Sequence, residues 1–145
     1  MKCLTVRQPW ASLTVLGATH YLVRAWRTFH RGPLAIQAAR VFPWEQRLLC
    51  LDPPMRGLLE RHGYPYADDL PTQALVGTVT VVDCFIVNED TRDFFDPEDP
   101  AVVFGLVQTG RWVWICAHPQ AFLQAVPMAG RLGVYTIPDS VIPVQ

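Results

Sequence analysis

The chain has 145 residues, half of them hydrophobic and 11 per cent aromatic, with twelve basic and thirteen acidic side chains for a net charge of −1. That length and composition support one folded domain, residues 1–145, and exclude a disordered or collagen-like chain. No apolar run reaches the ~20 residues that span a bilayer, so no membrane partner is expected. The near-neutral total hides an asymmetry. Residues 1 to 47 carry seven basic residues against Glu45 alone, and the remainder carries five arginines against twelve acids. Such a dipolar chain points to a polyanionic partner near its basic end.

In chain order, Cys3 to Val6 reads as a short strand. Gln8-Pro9 opens a helix in which Trp10, Leu13 and Leu16 share a face, and Gly17 ends it. The aromatic and β-branched content of His20 to Arg27 suits a second strand, and Arg31-Gly32-Pro33 a turn before an apolar strand at Leu34 to Ala38. Pro43 to Gly63 is helical in two pieces, the second with Asp52 at its N-cap and Pro53 at its first position. Ala74 to Val87 is the strongest strand in the chain, and its length predicts a bend near Gly77. Asn88 to Pro100 is an acidic excursion pinned by Phe94 and Phe95. Strands at Arg111 to Ala117 and Arg131 to Ile137 follow, joined by a connection through Pro127 and Gly130. Several separated strands with few helices imply a small barrel with helices across its openings.

Cys3, Cys50, Cys84 and Cys116 are scattered, with no CxxC pair and no signal-peptide pattern before them, so the expectation is a cytoplasmic protein with reduced thiols. A zinc set of Cys50, His62, Cys116 and His118 lacks the close ligand pairs that zinc sites usually show, and neither a metal nor a cofactor is expected.

Several segments together resemble an ASCH domain: Arg7-Gln8-Pro9-Trp10-Ala11, Gly17, Arg24-Ala25-Trp26-Arg27, Arg31-Gly32-Pro33-Leu34, Ala74 to Val79, Trp112-Val113-Trp114 and Gly130-Arg131-Leu132-Gly133. The resemblance covers nearly the whole chain. It implies an α+β, PUA-like small β-barrel of five to six strands with two to three flanking helices, and a cleft suited to RNA or a modified nucleoside. The motif that marks the family, Gly-x-Lys-x-x-Glu-x-Arg, is kept here at Gly17 and Arg24. Its lysine and glutamate positions hold Thr19 and Leu22. The hydrolytic and ribonucleolytic activities of similar proteins lean on the lysine and a neighbouring hydroxyl or carboxylate, so the resemblance favours binding without catalysis.

Alternation along a strand puts His20, Leu22, Arg24 and Trp26 on one face. Guanidinium, indole and imidazole then form a recognition row, with Arg24 the anchor and Arg27, Arg7 and Arg31 extending the basic surface. The alternatives are a packing role for Trp26 and an ion pair between Arg24 and the 88–100 segment. His20, beside the vacant lysine position, is the one titratable group placed for acid–base work, with Asp83, Glu89 or Asp90 as partner. The expected function is binding of RNA or a nucleotide-like ligand. The alternatives are a hydrolase with a rearranged site, acting on a modified nucleoside or on RNA, and a non-catalytic interaction module. An acidic lid over the cleft is a further expectation for residues 88–100.

Overall fold

The computed structural model describes residues 1–144. Six strands, β1 (Lys2–Val6), β2 (Tyr21–Arg24), β3 (Gly32–Ala38), β4 (Ala74–Ile86), β5 (Trp112–Pro127) and β6 (Val134–Thr136), form one curled sheet in the order β2-β5-β4-β3-β1-β6. Four short helices accompany it: α1 (Trp10–Val15), α2 (Trp44–Leu49), α3 (Pro53–Arg61) and α4 (Pro100–Val103). All pairings are antiparallel except β1 with β3. The result is an α+β half-barrel.

Apolar side chains drive the curl. Leu4, Val6, Leu34, Ile36, Val79, Val81 and Trp114 all turn inward onto α1, and Met55 and Leu59 of α3 join the same core. The helix α1 is buried along its whole length, crossing β1, β3, β4 and β5. Its start is held by Gln8, which is fully buried. The Gln8 amide nitrogen donates to Ser12 Oγ at 2.8 Å and to the Pro71 carbonyl at 2.7 Å, while its oxygen accepts from the Ser12 N–H. The helix can lie close to the sheet because β4 offers Gly77 beneath Val15. That glycine sits at a register shift between β4 and β5, where the bend was expected.

Three elements differ from the sequence reading, each for a reason of partnership. The strand β2 ends at Arg24, not Arg27, because Arg24 pairs with Trp112, the first residue of β5, and the ladder has no partner beyond it. It also begins only at Tyr21. The strand β5 runs on past Ala117 to Pro127 through an irregularity at His118, whose φ is +50°. Pro119 lies at this break in the ladder, where a residue without an N–H does least harm. The last strand is confined to Val134–Thr136, opposite Lys2–Leu4 of β1.

The acidic segment is anchored, not loose. Phe95 is buried beside Val87 and Val113 and packs edge-on against Tyr21, with ring centroids 5.4 Å apart. Asp99 caps α4 through the Ala101 N–H. No helix is long and apolar enough to cross a membrane among the described residues.

Candidate nucleic-acid interface

The half-barrel leaves a seam. The strand β6 covers β1 only as far as Leu4, so Thr5 and Val6 keep a free edge, and β2 is the edge strand at the other end of the sheet. Arg24, the last residue of β2, reaches across and donates from Nη2 to the Thr5 carbonyl at 3.0 Å. A cleft of about 760 Å³ opens along this seam. Its walls are the ends of β1 and β2, the turn after β3 at residues 39–41, and the 129–133 loop before β6.

Four arginines, Arg7, Arg24, Arg40 and Arg131, line the cleft, and no Asp or Glu is among its lining residues. None of the four is within salt-bridge distance of a carboxylate among the described residues. Burial first, and then the neighbouring Arg7 charge, pull the pKa of the Arg24 guanidinium down from its ordinary value. The charged form is therefore short of the solvation and counter-charge that water or an anion would supply. The side chains with buried polar atoms that lack a hydrogen-bond partner among the described residues, Trp10 (Nε1), Gln37 (Oε1) and Gln46 (Oε1), are also cleft residues.

The rim is apolar. Trp26 is 40 per cent exposed and meets Trp114 edge-on, with centroids 4.9 Å apart. Its position is fixed from below, since Trp114 Nε1 donates to the Trp26 carbonyl at 3.2 Å. Val41 and Leu132 are exposed on other parts of the lining.

Of the residues singled out from the sequence, Arg24, Arg7 and Trp26 line the cleft together, and His20, Arg27 and Arg31 do not. His20 is exposed and precedes β2, so it does not continue the Leu22–Arg24 row. Its contact with an acid is made by the backbone, whose N–H donates to Asp99 Oδ2 at 2.9 Å. Asp83, Glu89 and Asp90 play no part there. Thr19, at the lysine position of the motif, is buried and donates its hydroxyl to Asp99 Oδ1 at 2.6 Å. Leu22, at the glutamate position, is buried in the cleft lining. Arg24 takes a backbone carbonyl instead of an acid from the 88–100 segment, and that segment contributes nothing to the cleft walls, which removes the lid. Arg27 stacks over Phe29 at 4.4 Å and Trp112 at 5.7 Å, and Arg31 bonds to the Thr28 and His30 carbonyls.

Sequence reasoning passed over Gln37, Arg40 and Arg131. Gln37 carried a signal, being the one polar residue in an apolar strand; it is fully buried, and its amide nitrogen donates to the Met128 carbonyl. The cysteines lie elsewhere. Burial pushes the Cys50 thiol up to about 11 and the Cys116 thiol up to about 12, which keeps both protonated at neutral pH.

No protein-family profile matches the chain. By sequence it is similar to Activating signal cointegrator 1 of Homo sapiens and of Mus musculus, each 30 per cent identical over 139 residues, 96 per cent of this chain. The chain spans only 22 per cent of the length of those relatives. By structure it is similar to the ASCH protein of Zymomonas mobilis, with a TM-score of 0.55 to a point mutant and 0.51 to a second crystal structure. Those alignments cover 97 per cent of this chain and 91 and 89 per cent of the other, at 8 per cent identity, a likeness of fold.

Proposed function

Because this chain belongs to the ASCH domain family, we propose that it binds RNA or an RNA-like nucleotide in the seam cleft between β1 and β2. The observation that carries the reading is the charge of the lining: four arginines and no facing carboxylate. A cleft of one sign with partly desolvated walls concentrates anions. A phosphate beside Arg24 and Arg7 supplies the counter-charge that this pair lacks, through paired N–H···O bonds that a guanidinium makes well. The exposed face of Trp26 offers a base a stacking surface, held in place by Trp114.

The same lining supports holding a ligand over transforming it. It contains no Asp, Glu, His, Cys or Lys, and its one tyrosine, Tyr21, already accepts the Asp96 N–H at its hydroxyl. General acid–base chemistry needs a titratable group within reach of the reacting atoms.

Fluorescence anisotropy with a labelled, 5′-phosphorylated RNA oligonucleotide at rising salt tests the reading. The logarithm of the affinity is expected to fall linearly with the logarithm of salt, with a slope of about −0.7 for each phosphate neutralised. Salt-independent binding, or no binding at low salt, would contradict it, and release of product from the oligonucleotide would revive the hydrolase.

A further inference from the structure

The β2–β3 loop, residues 25–31, carries Trp26, Arg27, Phe29, His30 and Arg31, and of these only Trp26 lines the cleft. We infer that this loop is a second subsite continuous with the cleft, so that the ligand is a single-stranded nucleic acid of several nucleotides and not a free mononucleotide. The inference rests on the reading of the cleft given above.

The loop is built for exposure. Thr28 is buried and its hydroxyl accepts the His30 N–H, Arg31 bonds to the Thr28 and His30 carbonyls, and the His30 ring bonds to the Pro33 carbonyl at 2.8 Å. Those bonds engage His30 at Nε2 and Arg31 at Nη1 and hold the backbone. What remains outward is Trp26, Arg27 and Phe29. Phe29 is 78 per cent exposed, so its ring is open to a partner. The Arg27 guanidinium stacks over Phe29 and toward Trp112, and it forms no salt bridge among the described residues. Its hydrogen-bonding edge is therefore available to a phosphate while its face stays on the rings.

Charge selects the occupant. The segment from Gly17 to Pro33 contains three arginines and no acid. The one carboxylate within 4 Å of a loop arginine among the described residues is Asp83, 3.8 Å from Arg31 and partly exposed, and Arg27 has none at that distance. A negatively charged chain bearing flat aromatic groups at regular intervals matches alternating guanidinium and ring surfaces, as in other sequence-tolerant single-strand sites. Continuity comes from the chain itself: Trp26 lines the cleft and Arg27 is its neighbour. A strand leaving the seam past Trp26 meets Arg27 and Phe29 next.

Affinities of uridine 5′-monophosphate, of 5′-phosphorylated oligouridylates and oligoadenylates from about two to about ten nucleotides, and of an RNA duplex test this, a length range set by known single-strand sites. The proteins are the unaltered chain, Arg27→Ala, Phe29→Ala and Arg24→Met, each checked for folding by circular dichroism. Affinity is expected to rise with length for single strands and to be weaker for the duplex. Phe29→Ala and Arg27→Ala should weaken the long oligonucleotides by about 5- to 100-fold, the scale of one lost base stack, and leave the mononucleotide unchanged. Arg27→Ala should also flatten the salt slope by about 0.7. Affinity that does not grow with length, equal binding of the duplex, or loop variants that bind long strands like the unaltered chain would each overturn the inference. If the loop variants are silent while Arg24→Met loses every ligand, the cleft reading stands and only the second subsite falls. If Arg24→Met binds everything normally, the cleft reading itself falls.

Discussion

Arg24→Met is expected to lose nucleotide binding by about 100-fold while unfolding at the same temperature as the unaltered chain or a higher one. The two halves of this result come from the same geometry. In the free protein Arg24 is a largely buried cation whose donor at Nη2 meets the Thr5 carbonyl and which has no carboxylate within salt-bridge distance among the described residues. Burying a charge without a counter-charge is costly, and an apolar side chain of similar length removes that cost. The lost bond to Thr5 sets back about 0.5–1.5 kcal/mol of this gain. In the complex the balance reverses. A guanidinium–phosphate pair with two charge-assisted bonds is worth about 1.5–3 kcal/mol per bond, and methionine can form neither. Arg24→Lys should fall between, keeping the charge and losing the paired geometry. Calorimetric titration with thermal unfolding of the same samples reads both quantities. A variant that melts early and still binds would make Arg24 a brace for the seam and nothing more.

The largest expected loss of stability lies far from the arginines, at Gly77. A Cβ built there stands 2.3 Å from the Gln120 carbonyl oxygen and 2.6 Å from Val15 Cβ. One obstacle is the backbone of a paired strand, and the other is a β-branched side chain in a helix that is only 2 per cent exposed. Neither can swing aside, so α1 and β5 must separate. Overpacking a core costs about 1–3 kcal/mol where side chains can adjust, and here it should reach or exceed the upper figure. For a chain of this size that corresponds to a fall in Tm of about 10 °C. Val15→Ala in the same chain should recover part of the loss, a coupling that a double-mutant cycle measures. A Gly77→Ala protein that melts with the unaltered chain would mean that α1 does not rest on β4 at this distance.

Local chemistry wrote much of the fold plainly. The apolar alternation of residues 74–86, the Asp52-Pro53 helix start and the stop at Gly17 all concern neighbours in sequence. The errors came where a distant strand decides. Nothing near Arg24 announces that β5 begins at Trp112, so the end of β2 was set too far on. The strand expected to end at Ala117 runs on to Pro127, because its pairing with β4 breaks at His118 and Pro119 and then resumes. The site was legible to the same degree. Arg24, Trp26 and Arg7 could be found because the basic, aromatic segment and the motif mark them. His20 was set in that row because the strand was begun one residue early; it precedes β2, and its N–H is held by Asp99, far along the chain. Arg40, Arg131 and Gln37 converge on the cleft from the end of β3 and the 129–133 loop, a meeting that only the closed sheet creates. The partner of Arg24 could not be read at all, since a backbone carbonyl has no letter in the sequence.

A nucleotide held in the seam between β1 and β2 would leave its mark on the residues that line it. The most direct measurement is a two-dimensional NMR titration that follows the indole N–H signals of the five tryptophans, the assigned Arg24 side chain and the backbone amides of residues 129–133, with a 5′-phosphorylated RNA oligonucleotide as ligand. Trp10 and Trp26 are expected to shift together with Arg24 and residues 129–133, while Trp44, which is exposed outside the cleft lining, stays in place. Saturable binding that leaves Trp10, Trp26 and Arg24 unmoved would contradict it.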